Sequence, residues 1–272
     1  MKRTYFSYPY IVWMTIFIFS PMLLVVYYAF TTDANFTVAG LVNAFDPLYL
    51  QVLLRSIYLA LIATICCIAL GYPIAYLLSR MKRSTASLLS VFFIVPMWMN
   101  FLLRTYAWQV LLDQNGVFNL ILGWLGLPQG QFLYTEGAVL LGMVYNFLPF
   151  MVLPIYTVLI KIDRSHIEAA NDLGANRINT FLRVVLPQSM PGVISGIMMV
   201  FIPAITTFAI SRLLGGSQFM MYGDLIENQF LLVNDWNSGS ALSFILLILV
   251  LISMFIMRRA DHEAGQEGGT LW

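Results

Sequence analysis

The chain has 272 residues, of which 60% are hydrophobic and only 10% charged, against about a quarter charged in ordinary soluble domains. A net charge of +1 without a clustered basic face excludes nucleic acid as a partner, because phosphate binding needs several cations on one surface. An integral membrane protein remains, whose adjacent Cys66 and Cys67 match no disulfide framework or metal spacing and read as small buried hydrophobes.

Six apolar runs approach the roughly 20 residues that a ~30 Å hydrocarbon layer requires. They cover approximately 10–30, 56–78, 88–110, 138–160, 193–210 and 241–257. The first follows a basic leader, but it is too long for a signal core and no small-residue cleavage site follows it, so it reads as a retained span. In the third, Pro96, Asn100, Arg104 and Trp108 share one helical face, and a rise of ~1.5 Å per residue puts Arg104 about 24 Å beyond Leu88, near the outer boundary. Arg104 reads there as structural, with Asp113 or Glu136 as partner. The fourth run carries Tyr145, Asn146 and Pro149, and the fifth carries Pro203, Thr206 and Thr207 after a Gly192/Gly196 pair suited to close helix packing. Beyond it, Asp224, Glu227 and Asn228 fall on one face if GDLIENQF is helical. The tail DHEAGQEGGTLW is polar and glycine-rich, a mobile end on composition.

Basic residues set the orientation. With the amino terminus in the cytoplasm, that side holds Lys2, Arg3, Arg80, Lys82, Arg83, Lys161, Arg164, Arg177, Arg183, Arg258 and Arg259, and the far side only Arg55, Arg104 and Arg212. The expected fold is an all-α integral membrane bundle of six transmembrane helices, both termini cytoplasmic, in a single domain 1–272. The far-side loops then run over 31–55, 111–137 and 211–240.

The one long polar interruption, KIDRSHIEAANDLGANRINTFLRVVLP, falls in the cytoplasmic loop 161–192. Ser165 and Glu168 have capping-box spacing for a short helix that Gly174 would close. Asn176 caps a second helix with Ile178, Phe181, Leu182 and Val185 on its apolar face, ended or bent by Pro187. Small Ala169 and Ala170, with acidic Glu168 and Asp172, suit docking on a basic partner; an amphipathic helix lying on the inner leaflet is the alternative on physical grounds.

Glu168, Ala169, Ala170, Gly174, Val184, Leu186 and Pro187 resemble the cytoplasmic signature of the membrane subunits of binding-protein-dependent ABC importers: EAA, three residues, Gly, nine residues, an aliphatic residue, one more, Leu-Pro. Val184 stands where the signature usually has isoleucine. The segments 46–76, 94–108, 142–156 and 228–241 are similar to the spermidine/putrescine importer permeases, so the likeness covers most of the chain. The resemblance implies a type I importer permease in the bacterial cytoplasmic (inner) membrane. It implies a coupling helix over Glu168, Ala169, Ala170, Asp172 and Gly174, with Leu186 and Pro187 behind it, inserted into a cleft of a cytoplasmic ABC ATPase dimer. A second homologous permease subunit and an extracellular or periplasmic substrate-binding protein complete the assembly. ATP and Mg belong to the ATPase, and this chain is expected to bind no cofactor.

A polyamine has ammonium groups joined by methylenes, which separated carboxylates and aromatic faces would recognise. The candidate pathway residues are Trp98, Asn100, Tyr106, Trp108, Tyr145, Asn146, Thr206, Thr207, Asp224 and Glu227, each also explicable by packing, capping or interface anchoring. Solvated loop acids are the favoured reading of Asp113, Glu136, Asp224, Glu227 and Asp235. An intramembrane enzyme would need a buried nucleophile and base or a metal motif, yet both histidines, His166 and His262, lie in polar segments. A stand-alone carrier or channel would have no use for an ATPase-docking loop. The chain has no G-x-x-x-x-G-K-[ST] loop, so energy from ATP must come from another polypeptide.

Overall fold

The computed structural model describes residues 8–32 and 35–267, so Lys2 and Arg3 of the basic leader and the last residues of the tail lie outside the described residues. The chain opens with α1 (Tyr8–Met14) and α2 (Ser20–Ala29), joined through a π-helical turn at Thr15–Phe19 into one span. A two-strand hairpin, β1 (Thr31–Thr32) with β2 (Asn35–Phe36), pairs Thr31 with Phe36 and leads to the short α3 (Ala39–Asn43). Asp46 then caps α4 (Pro47–Arg80), its Oδ1 accepting from the Leu48 N–H at 2.9 Å. The second span thus begins well before Ser56, and Arg55 lies in a helix, not a loop.

The third apolar run is broken, in contrast to the expected straight helix. α5 (Arg83–Trp98) and α6 (Phe101–Leu112) meet at extended Met99 and Asn100, and the axes turn by 92°. Pro96 removes an N–H from the last turn of α5, and Asn100 Oδ1 accepts from the Leu102 N–H at 2.8 Å, which starts a new helix. Pro96 therefore does not share a face with Arg104 and Trp108, whereas Asn100 caps the helix that carries them. α7 (Val117–Trp124) follows, and buried Asn119 latches it to Gly130 through bonds of 2.9 and 3.1 Å.

α8 (Glu136–Leu159) is the fourth span, capped by Thr135. After α9 (Arg164–Asp172) and α10 (Arg177–Thr180), a π-helical turn at Phe181–Val185 passes directly into α11 (Leu186–Thr206). Pro187 ends nothing. The wide turn, closed by the Leu186 N–H on the Phe181 carbonyl, changes the hydrogen-bond spacing just ahead of the proline, and helix runs on from Arg177 to Thr206. The fifth span stops short of Ile210 because Pro203 withdraws a donor and Thr206 Oγ1 takes the Ile202 carbonyl at 3.0 Å, leaving Thr207 extended. α12 (Tyr222–Asn228) and α13 (Trp236–Glu267) complete the chain; α13 continues as helix through much of the segment read as a mobile tail.

Among the described residues, five helices are long and apolar enough to cross a membrane, and six if the bent α5–α6 pair is one span. The densest packing joins α4, α8 and α11. Gly192 and Gly196 make it possible: a Cβ at Gly192 would lie 3.1 Å from Ile155 Cα, and one at Gly196 would lie 2.6 Å from Met151 Sδ. Without a hydrophobic drive between helices in lipid, such close backbone approach is what holds spans together. The first span and α5 ride outside this core with most apolar side chains exposed, as a lipid-facing surface requires. Cys67 is fully buried against α8.

Candidate functional site

The polar segment between α8 and α11 folds as a capped, cross-tied knob. Asp163 starts α9: its backbone is extended and its Oδ1 accepts from the Ser165 N–H at 3.0 Å. The cap is thus Asp163 and not the Ser165–Glu168 box, because an acid ahead of the helix satisfies the orphan donor first. That backbone hydrogen bond, seconded by the Ser165 side chain, holds the exposed Asp163 carboxyl below the usual carboxylate range. Glu168 has no capping duty and stands exposed, without a hydrogen bond or ion pair among the described residues; so does Asp172. Ala169 is exposed and Ala170 half-buried.

Gly174 closes α9 with φ +80°, a left-handed conformation costly for other residues. The Gly174 N–H donates to the Asn171 carbonyl at 2.9 Å and the Ala175 N–H to the Ala170 carbonyl at 3.0 Å, which is the paired closure of a Schellman turn. Asn176 then caps α10, accepting from the Asn179 N–H at 2.8 Å.

The apolar face expected of the second helix is rotated. Val185 is buried and Phe181 half-buried, yet Ile178 and Leu182 are 68% and 50% exposed, and Thr180 is buried instead. The π-helical turn takes more residues per turn than an α-helix, so a 3.6-residue reading slips across it. Leu173, at the end of α9, is 88% exposed. Sequence reasoning missed Leu173, although a leucine just before a left-handed glycine, past the end of the helical face, is a readable sign.

It also missed the ties that make the knob rigid. Thr180 Oγ1 reaches Asn171 Oδ1 at 3.4 Å, and His166 Nδ1 meets Gln188 Oε1 at 3.2 Å, joining α9 to α10 and to α11. Phe181 packs edge-on against Tyr72 and Tyr76 of α4, with ring centroids 5.7 and 5.3 Å apart. The Tyr72 hydroxyl and Ser189 Oγ are 2.8 Å apart, fastening α4 to the start of α11. α9 is thus tied directly to α11 through His166 and Gln188, and through α10 and Phe181 to α4.

The candidate pathway residues divide. Trp98 is 83% exposed at the end of α5, Asn100 is spent on its cap and Tyr106 is exposed, so these three do not converge. Trp108 and Tyr145 do meet, edge to face at 5.3 Å, and Phe118 stacks with Trp108 at 6.3 Å between ring centroids. Asn146 is buried in α8; its Nδ2 donates to the Gly142 carbonyl at 2.9 Å and its Oδ1 is unpaired. Thr206 and Glu227 line one cavity of about 470 Å³ with Ile202, Phe208, Ser243 and Leu246.

Most of the acids expected on the far side have internal partners. Arg55 holds Glu136 at 2.6 Å and lies over the Phe219 ring at 4.4 Å. Glu136 is thus unavailable to Arg104, which is buried and forms no ion pair with it or with Asp113. Arg212 Nη1 contacts both Glu227 oxygens at 3.0 Å. Buried Asp224 accepts from Ser211 Oγ at 2.5 Å and from the Met221 N–H at 2.8 Å; burial still pushes its carboxyl up to about 6 against the pull of those bonds. Asp235 caps α13, accepting from the Asn237 and Ser238 N–H groups at 3.1 and 3.0 Å. Glu136, Asp224, Glu227 and Asp235 are thus held by partners inside the chain, in contrast to the expected solvated loop acids, and Asp113 alone of the five is exposed without such a partner among the described residues.

Comparison with known proteins agrees with this architecture. Residues 67–264 match the family described as "Binding-protein-dependent transport system inner membrane component". The spermidine/putrescine transport system permease protein PotB of Escherichia coli (strain K12) is 39% identical over 92% of this chain and 94% of its own. PotB of Haemophilus influenzae is also 39% identical, over 92% and 90%. Among solved structures, a bacterial alginate ABC transporter in complex with an alginate pentasaccharide-bound periplasmic protein superposes with a TM-score of 0.76 at 16% identity, over 96% of both chains. That last likeness concerns the fold, which is the type I importer permease bundle. With matching family, fold and near-complete length, this chain belongs to the inner membrane components of binding-protein-dependent transport systems: a multi-pass, non-catalytic permease subunit.

Proposed function

We propose that this permease carries polyamines, spermidine or putrescine, inward across the bacterial cytoplasmic membrane as one half of a permease pair. The 39% identity to PotB across 92% of the chain carries this reading. The cavity beside Thr206 and Glu227 suits such a cargo, since its apolar wall accepts methylenes and its one carboxylate accepts an ammonium group once it is released from Arg212. The Trp108–Tyr145 pair offers aromatic faces for a second ammonium, worth about 0.5 to 2 kcal/mol.

In this reading both termini face the cytoplasm and the loop 161–192 engages the ATPase. Glu168 and Asp172 meet basic groups of an ATPase subunit, Ala169 and Ala170 allow close approach, and Leu173 enters an apolar recess. Gly174 sets the exit from α9, while Leu186 and Pro187 lie where the knob passes into α11. ATP and Mg act on the ATPase dimer; closure of that dimer pulls α9, and Phe181, Tyr72 and Ser189 pass the movement to α4 and α11. A loaded binding protein docks on the opposite face.

The test is to purify the whole complex, add the binding protein and measure ATP hydrolysis with spermidine, putrescine, sugars, sulfate and amino acids in turn. Polyamines alone should stimulate hydrolysis. Stimulation by another solute class and silence towards polyamines would remove the assignment while leaving the family intact.

A further inference from the structure

A cleft of about 720 Å³ opens at the α9 end of the bundle, between the end of α4, the Met81–Lys82 turn, the end of α8 and the inner side of α9. Its rim carries Arg80, Lys82, Arg83 and Arg164, with Glu168 the one carboxylate lining it. None of the four cations is in an ion pair among the described residues; Arg80 only lies over the Tyr76 ring at 4.6 Å. The interior is aromatic and aliphatic, including Tyr156, Leu159, Ile162 and Val185. Four unpaired cations around an apolar floor form an incomplete arrangement, because like charges so placed repel until an anion arrives.

Two further features identify that anion's chemistry. The cleft lies at the ends of the apolar helices α4 and α8; Met81 and Ile160 of its own lining are 43% and 50% exposed, and Leu77 on the adjoining turn of α4 is 59% exposed. A basic mouth flanked by bare apolar side chains at a membrane boundary matches an amphiphile, with its anionic head in the cleft and its chains along the helix ends. A soluble anion would gain nothing from Leu77, Met81 or Ile160.

We propose that this cleft binds the phosphodiester headgroup of an anionic phospholipid of the inner leaflet. Lys82 and Arg83 reach the phosphate from the α4–α5 turn and Arg164 from α9, so an occupied cleft braces α9 from behind. The lipid site stands independently of the cargo. Its effect on ATP hydrolysis rests on α9 engaging the ATPase, so the two are read separately.

The test reconstitutes the intact complex in nanodiscs of phosphatidylcholine with or without phosphatidylglycerol and counts retained lipids by native mass spectrometry. The unaltered complex should keep phosphatidylglycerol and shed phosphatidylcholine, and millimolar inorganic phosphate or ATP should not displace the lipid. Lys82→Gln should weaken retention about fivefold and the Lys82→Gln/Arg83→Gln pair roughly 25-fold, following the usual gain per cation at an anionic surface. Lys82→Arg/Arg83→Lys should retain the lipid. Equal retention in the glutamine variants, equal retention of phosphatidylcholine, or full displacement by free phosphate would each overturn the proposal. Should the double variant fail to assemble, the graded loss in Lys82→Gln decides. Retention without any change in ATP hydrolysis would keep the site and remove its link to coupling.

Discussion

At the end of the bundle that carries α12, every described acid except Asp113 has a partner: Asp46 and Asp235 cap helices, Glu136 and Glu227 hold arginines, and Asp224 is buried on Ser211. At the end that carries α9, Glu168 and Asp172 have none, Leu173 is almost fully exposed, and four cations surround an apolar cleft. Groups that hold the fold are satisfied inside the chain, whereas the bare and unpaired groups at the α9 end are those assigned above, as proposals, to the ATPase and to a lipid headgroup. Among the described acids at the α9 end, Asp163 is the one that caps a helix, as Asp46 and Asp235 do at the other end.

This contrast breaks most visibly if the bare acid at the α9 end can be reversed without consequence. Glu168→Lys should lower nucleotide-driven uptake in proteoliposomes at least about tenfold, with the protein still inserted, since like charges across an interface cost several kcal/mol. Gly174→Val should also uncouple, because a left-handed backbone costs a β-branched residue about 1–2 kcal/mol, and limited proteolysis should then cut near Leu173.

At the opposite end the expected losses are of stability. Asp224→Ala leaves the Ser211 hydroxyl and Met221 N–H without their acceptor and should cost about 1–3 kcal/mol, read as a lower unfolding midpoint in detergent. Asp224 also has a pH signature. Its folded value is raised from 3.8 to about 6, so the folded state binds the extra proton, and stability falls as pH rises through that window and then levels off. The slope should vanish in Asp224→Asn, whose side-chain oxygen still accepts one bond. Tyr72→Phe removes the hydroxyl facing Ser189 and should cost about 1 kcal/mol, with a larger effect on the coupling of hydrolysis to uptake than on the unfolding midpoint.

The smallest effect is expected at Arg212 and Glu227. Their pair is partly exposed, so a double-mutant cycle with Arg212→Gln and Glu227→Gln should return no more than about 1 kcal/mol of coupling, shrinking with salt. A larger value would move this pair from shape-holding to function.

Local chemistry accounts for what was readable beforehand. The apolar runs, the Gly174 closure, the Asn176 cap and the Gly192/Gly196 contact each depend on neighbouring residues, or on a spacing of one helical turn. The break at Asn100 was local as well: a proline followed by an asparagine cap is a stop and a start, but hydropathy alone read straight across it. The candidate coupling residues were found by a spaced motif, whereas Leu173 escaped because a motif does not register exposure.

Taken alone, the chain determined that it crosses a membrane, which stretches supply the apolar helices though not where those helices begin and end, and which polar segment interrupts them, because hydropathy, capping and backbone preference act over a few residues. Only the tertiary structure decided which charges pair, as with Arg55 and Glu136 or Arg212 and Glu227, and which are left open, as with Lys82, Arg83 and Glu168. It also decided that Tyr72 meets Ser189, and that the π-helical turn at Phe181–Val185 turns Ile178 and Leu182 outward. Such pairings depend on how separate helices pack against one another, and no residue's immediate neighbours specify that packing.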